Sequence, residues 1–515
     1  MSRAERVVIA GAGIGGLVAA LHLAAKGLEV VVVDRADAPG GKMREEIVGE
    51  ARIDAGPTVL TMRWVFDGIF DEVGLSLDER LTLEPAQILA RHAWSGSQKL
   101  DLFADRARSA DAIGAFAGKG EADGYLRFCD RAGAIYRTLE EPFIRSSRPS
   151  PLGLIQRAGL SGVGRLSQIS PFTTLWSMLG DFFSDPRLRQ MFGRYATYCG
   201  SSPFQAPATL MLVAHVEQLG VWLVDGGMKQ LARVIANAAA AKGATFRYGA
   251  RVTSIAVEGG RVAGAMLANG ERLSADALVW NGDVAALTCG LLGPDVSSAA
   301  PPIPRRQRSL SAITWALNSS ASGFPLLRHN VFFSDDYRAE FDDIFARARL
   351  PKRPTVYVCA QDRGADNSPR SHRSRERLLC LVNAPANGDS GEFDPAELES
   401  CETATFELLN RCGLTIDRRD ATSVRTTPAR FNDLFPATGG ALYGRASHGW
   451  MASFARSGAR TRLPGLYLAG GSVHPGPGVP MAALSGRQAA QAVVEDRAST
   501  SRWTPAAMSG GMSMR

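Results

Sequence analysis

Two short glycine-rich stretches, one near each end of the chain, have the residue types that can hold a dinucleotide. The first is Val7-Val8-Ile9-Ala10-Gly11-Ala12-Gly13-Ile14-Gly15-Gly16, and the second runs from Gly465 through Gly470-Gly471-Ser472 to Pro480-Met481. Gly11, Gly13 and Gly16 have the G-x-G-x-x-G spacing, with Gly15 beside the third glycine. Glycine there permits a tight turn and lets backbone N–H groups approach a pyrophosphate. A helix starting at that turn adds free N–H donors and the positive end of its dipole. Asp34 stands about 20 residues further on, where a carboxylate can hold both ribose hydroxyls.

The surrounding pattern supplies the elements that must position these groups. Arg6 to Ala10 is an apolar run fit for a buried parallel strand, Leu17 to Lys26 has helical spacing and stops at Gly27, and Leu28 to Val33 is a second strand ending on Asp34. Together they make a complete βαβ unit. At the other end, Gly465 to Ala469 reads as a buried strand, and Pro480 opens a helix to about Glu495, proline being favoured in a first helical turn. In the middle, Met228 precedes a helix over Lys229 to Ala241. Strands are expected at 245–248, 252–257 and 262–267, with hairpin signals at Gly259-Gly260 and Asn269-Gly270, and at 276–281.

At 515 residues the chain should form at least two domains, and 45% hydrophobic with 21% charged residues is an ordinary globular balance. The net charge of +7 comes without a dense Lys/Arg block interleaved with aromatics, so no nucleic-acid partner is expected. A mild positive balance does favour an anionic membrane surface. The seven cysteines are scattered, odd in number and without a CxxC pair, which points to free thiols in a cytoplasmic setting and to no metal site. The first strand starts at Arg6, so no signal peptide is expected, and no apolar run reaches the ~18 residues of a membrane span.

Pro39-Gly40-Gly41-Lys42 resembles the second glycine doublet of the flavoproteins of the amine oxidase and phytoene desaturase group. Asp54-Ala55-Gly56-Pro57-Thr58 is similar to that group's segment returning the chain to the flavin ring. The resemblance extends through Tyr198-Cys199-Gly200-Ser201-Ser202-Pro203-Phe204, Val221-Trp222 and the stretch Leu466 to Pro480, and so covers nearly the whole chain. In Gly440-Ala441-Leu442-Tyr443-Gly444 and Ser447-His448-Gly449-Trp450 it is closest to the hydroxycarotenoid 3,4-desaturases. One departure is Gly470-Gly471-Ser472, where many relatives carry an acidic residue or G-A-G-T; it bears on a phosphate or ribitol contact, not on the cofactor.

The resemblance implies an α/β fold: a Rossmann-type FAD-binding domain assembled from residues 1–100, 222–290 and 455–496. An inserted α+β substrate domain from 101–221 and 291–454 would face the membrane, and the tail 497–515 is expected to be disordered. It implies FAD held by Gly11, Gly13, Gly15, Gly16, Asp34, Gly41, Lys42 and Thr58, by the backbone of Val252, and by Gly470, Gly471, Ser472, Pro480 and Met481. Lys42 would lie near the phosphates. Arg35 is read either against the adenine or as a solvated surface arginine. The helix opened at Pro480 would place partial positive charge near the flavin edge that becomes anionic on reduction. The implied activity is FAD-dependent formation of the C3–C4 double bond in acyclic 1-hydroxy or 1-methoxy carotenoids. Phytoene desaturation, cis–trans isomerisation with reduced FAD and amine oxidation are the alternatives. Oxygen or a quinone would accept the electrons. No catalytic residue is assigned: His448 and His474 are nearest by segment and read as packed structural histidines. A carotenoid must be drawn from a bilayer, so the chain is expected to sit peripherally on an inner or photosynthetic membrane. Its candidate apolar stretches are Pro142 to Ile144, Leu152 to Ile155 and Pro171 to Phe183, with Arg145, Arg148, Arg157 and Arg165 among them; they read either as a patch inserted at the interface or as a helical lid packed on the substrate domain.

Overall fold

In the computed structural model, residues 5–96, 98–147, 172–365, 375–419 and 421–501 are described. The N-terminal βαβ unit forms as its pattern dictates: β1 (Arg6–Ala10), α1 (Ile14–Ala25) and β2 (Glu29–Val33). β1 is central in a five-stranded, all-parallel sheet. The strands run in the order Thr245–Arg247, β2, β1, Ala277–Trp280 and Leu466–Leu468. The strands are nearly continuous apolar runs because both faces of the sheet are covered. On one face, Val7 and Ile9 pack with α1, the helix Met228–Ala241 and the helix Val479–Ser501. On the other, Val8, Ala10, Leu278 and Leu468 pack on the antiparallel strands Val252–Glu258, Arg261–Leu267 and Arg272–Ser274.

A second body surrounds a seven-stranded sheet. Its order is Thr422–Thr426, Ser311–Ser319, Glu376–Ala384, Val356–Ala360, His329–Phe332, Ile88–Trp94 and Gln98–Phe103. One face is covered by the helix Pro395–Arg411. The other meets the hairpin Glu45–Asp54 of the first body, where Val48, Ile53 and Ala55 pack on Ala316, Cys359 and Leu379. A helical layer built from Lys119–Leu139, Leu175–Leu179 and Pro186–Gly193 packs with Phe333, Val331 and Trp94 of this sheet.

Three expectations shift. The hairpin of residues 88–103 pairs with the later sheet, Arg91 opposite Asn330, so the first segment of the FAD-binding body gives way at Ile88 and not at residue 100. The C-terminal helix continues to Ser501, so residues 497–501 are helical, and the remainder of the expected tail lies outside the described residues. Within the expected apolar patch, Leu175, Leu179 and Phe183 are fully buried and Ile144 nearly so. Leu175, Leu179 and Phe183 pack with Phe128, Phe192 and Tyr125 as core, the packed-lid alternative, and Ile144 joins the core of the FAD-binding body. Leu152 to Ile155, Arg148, Arg157, Arg165 and Pro171 lie outside the described residues. No helix among the described residues is long and apolar enough to cross a membrane, and none of their side chains cluster as a metal site.

Candidate FAD site

The two glycine stretches meet. Gly11 has φ +111° and donates to Val33 O at 2.8 Å, and a Cβ on Gly16 would stand 2.1 Å from the Gly11 carbonyl oxygen. A Cβ on Gly15 would lie 2.7 Å from the Gly470 nitrogen, and one on Gly486 2.1 Å from Gly15 O. The C-terminal helix therefore sits against the N-terminal turn at a distance only glycine allows. Asn281 completes the junction: its Nδ2 donates to Gly11 O at 3.0 Å and crowds Gly13 and Gly16. In the sequence Asn281 stands only as the end of a strand. Its signal was a lone amide directly after an apolar run that aims at the loop.

The N-terminus of α1 is the test of fit for FAD. Gly13 is its N-cap, with no side-chain acceptor and no acidic residue in the first turn, yet Ile14, Gly15 and Gly16 are buried. First-turn donors without a capping side chain suit an anion, and the pyrophosphate of FAD fits both their partial charge and the space glycine leaves. Asp34 is fixed beside them: Oδ2 accepts from Ala12 N at 2.6 Å and Oδ1 from Ala36 N at 2.8 Å. Its own carbonyl accepts from Ala250 N at 2.7 Å, which brings the strand beginning at Val252 to this corner.

Gly40 and Gly41 stack on the same loop. Gly40 N donates to Ala12 O at 2.9 Å, Gly13 bridges Gly40, and Gly41 (φ +57°) would place a Cβ 3.1 Å from Gly13 Cα. Lys42 turns away toward the later segment: Nζ donates to Leu442 O at 2.5 Å and lies 5.3 Å from the centre of the Phe435 ring. Burial lowers its pKa, and Asp283 partly offsets that. Arg35 does not stand free for an adenine. Its guanidinium donates to Asp433 O at 2.6 Å and to Leu434 O, at the end of the helix Pro428–Leu434. Asp54 accepts from Met228 N at 2.9 Å and so caps the helix Met228–Ala241, while Thr58 Oγ1 lies 2.7 Å from the Tyr357 hydroxyl.

Around the second glycine stretch, Gly470 N donates to Ser485 Oγ at 2.8 Å and Ser472 Oγ accepts from Val284 N at 3.2 Å. Pro480 and Met481 occupy the first turn of the helix starting at Val479, the former buried and the latter half-buried. Arg456, unnoticed in the sequence because it sits in a polar loop, is buried here. It donates to Tyr443 O at 3.1 Å, Arg445 O at 2.5 Å and Gly471 O at 3.4 Å, and burial lowers its pKa to about 10. It ties the Gly440–Gly444 stretch to the second glycine stretch. His448 Nε2 accepts from Ser202 N at 3.0 Å, His474 Nε2 lies 2.7 Å from Ser146 O, and burial lowers both pKa values to about 4. Both histidines are neutral and bonded to backbone, as packed structural residues are.

Residues 14–494 match the flavin containing amine oxidoreductase family. The chain is 55% identical over 514 residues to a hydroxyneurosporene desaturase of Rubrivivax gelatinosus, covering 100% of this chain and 98% of that protein. It is 45% identical over 497 residues to a hydroxyneurosporene desaturase of Cereibacter sphaeroides, covering 96% and 99%. Among solved structures, a putrescine oxidase variant redesigned in its cofactor binding superposes with a TM-score of 0.61 at 15% identity, over 96% of this chain and 99% of that one. That likeness speaks to the fold. With the glycine cradle, the uncapped buried helix start and these matches together, the chain is an FAD-dependent oxidoreductase that belongs to the flavin containing amine oxidoreductase family, in the group of the hydroxyneurosporene desaturases.

Proposed function

We propose that this enzyme forms the C3–C4 double bond of acyclic carotenoids that carry a 1-hydroxy or 1-methoxy group. What carries the reading is the 55% identity over 514 residues, which takes in both the FAD cradle and the entire inserted body. FAD, when bound, supplies the hydride acceptance that no amino-acid side chain offers. The chain's own part is to hold the dinucleotide with Gly11 to Gly16 and Asp34, to lock Gly471 to Tyr443 through Arg456, and to enclose an apolar chain between its two bodies. Delocalisation along a polyene eases loss of the neighbouring proton, so the neutral, backbone-bonded His448 and His474 need not act as bases. Oxygen or a membrane quinone is the electron acceptor in this reading.

The reading includes peripheral attachment to a membrane. Phe172 is 78% exposed, Trp450 41% and Met451 44%, and the first two meet edge to face at 5.4 Å between ring centres. Exposed aromatics beside a net positive charge suit the headgroup level of an anionic bilayer. Phe172→Ser with Trp450→Ser should then release the protein from anionic liposomes in sedimentation; full retention would refute that docking face. The activity itself is tested by offering phytoene, neurosporene and 1-hydroxyneurosporene in liposomes and reading absorption spectra. A longer chromophore from the hydroxylated substrate alone supports the reading, and a shift from phytoene overturns it.

A further inference from the structure

The inserted body holds a buried polar network that the FAD cradle does not use. Thr58 Oγ1 is 2.7 Å from the Tyr357 hydroxyl, which is 2.7 Å from Nδ1 of His329. Tyr357 and His329 lie on adjacent antiparallel strands, Tyr357 opposite Val331 and His329 opposite Cys359. That register directs both side chains to the sheet face where Cys359 packs against Val48, Ile53 and Ala55 of the FAD-binding body. Thr58 stands on that body's edge, two residues after Gly56, where a Cβ would be 1.9 Å from Lys42 O. The network therefore runs from the wall of the cradle into the inserted sheet.

His329 is 3% exposed, and its Nε2 has no hydrogen-bond partner. The helical layer adds further charge and polarity nearby. Arg194 Nη2 donates to the Tyr198 hydroxyl at 3.3 Å, and Tyr198 and Tyr195 donate to Glu217 at 2.6 and 2.7 Å. Arg194 Nε and the Tyr337 hydroxyl are buried and unpartnered too. Burial, with Arg328 and Arg194 adding to it, lowers the His329 pKa to about 3, so the ring is neutral and one nitrogen donates while the other accepts. A phenol is a better acid than an aliphatic hydroxyl, and an imidazole nitrogen is the better base. With Thr58 donating to Tyr357 and Tyr357 donating to Nδ1, the arrangement these acidities favour, the ring proton sits on Nε2.

We propose that Nε2 of His329, oriented by Tyr357 and Thr58, donates a hydrogen bond to the oxygen at the end of a polyene substrate. This rests on the desaturase reading above. A hydroxyl and a methyl ether both offer lone pairs to such a donor, whereas a hydrocarbon end leaves a buried N–H unpaired and is penalised. The oxygen-bearing carbon is two carbons from the bond to be desaturated, so its partner has to stand at the junction of the two bodies, where Thr58 and Tyr357 meet. His329 is thus the specificity residue, and Tyr357 and Thr58 are its positioning residues.

The test is equilibrium binding to the FAD-loaded protein, read by quenching of tryptophan fluorescence. The probes are 1-hydroxyneurosporene, its 1-methoxy counterpart and neurosporene. The unaltered protein should bind both oxygenated probes about 10- to 100-fold tighter than neurosporene. His329→Leu and the nearly isosteric Tyr357→Phe should each cut that ratio by about tenfold or more, with neurosporene binding little changed. His329→Gln, which keeps an N–H, should recover part of it. An unchanged ratio in both His329→Leu and Tyr357→Phe, or no preference in the unaltered protein, would overturn the assignment. Turnover of 1-hydroxyneurosporene by the same preparations separates the two ideas: a preference in binding without a new double bond defeats the desaturase reading and leaves the oxygen site standing.

Discussion

Gly16→Ala sets two physical effects against each other. Within a helix, alanine is favoured over glycine by about 1 kcal/mol, so propensity alone predicts a more stable protein. The structure predicts the reverse. The new methyl would start 2.1 Å from Gly11 O and 2.9 Å from Asn281 Nδ2, and ordinary contact begins only at 3.4 Å. The nearer obstacle is backbone, pinned by the Gly11–Val33 and Asn281–Gly11 hydrogen bonds, so it cannot swing aside as a side-chain end would. Overpacking of this kind costs about 1–3 kcal/mol and more where backbone must move. After the propensity gain up to about 2 kcal/mol of cost remains, and for a chain this long the FAD-free protein should melt about 1–2 °C lower. The same displacement opens the loop that cradles the pyrophosphate, so FAD should bind at least about tenfold more weakly, equivalent to ~1.4 kcal/mol. Flavin content after gel filtration and thermal melts of the FAD-free form read the two effects separately. A variant that melts higher and keeps full flavin would show that the close approach of Gly16 to Gly11 is not a constraint, and the loop assignment would fail.

Other perturbations follow from single contacts. Asp54→Ala removes the acceptor of the Met228 N–H and should cost about 0.5–2 kcal/mol in denaturant unfolding; an unchanged midpoint would contradict the capping role. Arg456→Lys keeps a positive charge but cannot span Tyr443, Arg445 and Gly471, so flavin should dissociate faster, and an unchanged off-rate would count against the clamp. Acid should destabilise the fold before most carboxylates titrate. His92 and His329 have pKa values of about 3, and His448 and His474 of about 4, against an ordinary 6.5. Below 6.5 the unfolded chain takes up protons that the folded chain refuses, so stability falls with pH until these folded values are reached. At a pH of about 5.5 each such histidine costs roughly 1 kcal/mol. His92→Phe should remove about one proton of that uptake, and an identical pH slope in the variant would refute the assignment.

The βαβ unit was legible because its signals are local: apolar runs, a glycine turn and an acid at fixed offsets. Pairing at long range was not. Nothing local in residues 88–103 marks their partner, and Arg91 pairs opposite Asn330 across chain that the pattern cannot bridge. Leu175 to Phe183 reads equally as a membrane patch or a packed lid, because hydrophobicity alone does not say whether a surface meets lipid or Phe128 and Phe192. The site divided the same way. Glycines disclose themselves by type, whereas Asn281, Arg456 and the Thr58–Tyr357–His329 network gain meaning only from contacts, the Thr58–Tyr357 pair being 299 residues apart. For Arg35 the position beside Asp34 left adenine and solvent as equal destinations; its exposed guanidinium goes to carbonyls at the end of the helix Pro428–Leu434.

The central claim is that FAD in this cradle takes reducing equivalents from a polyene with an oxygenated end. Anaerobic mixing of the FAD-loaded protein with one equivalent of 1-hydroxyneurosporene tests it directly, with flavin absorbance and product mass followed together. The flavin should bleach as the carotenoid loses two hydrogens at C3 and C4, and neurosporene should leave it oxidised. A flavin that stays oxidised with the hydroxylated substrate, or that bleaches instead with phytoene or a primary amine, would contradict it.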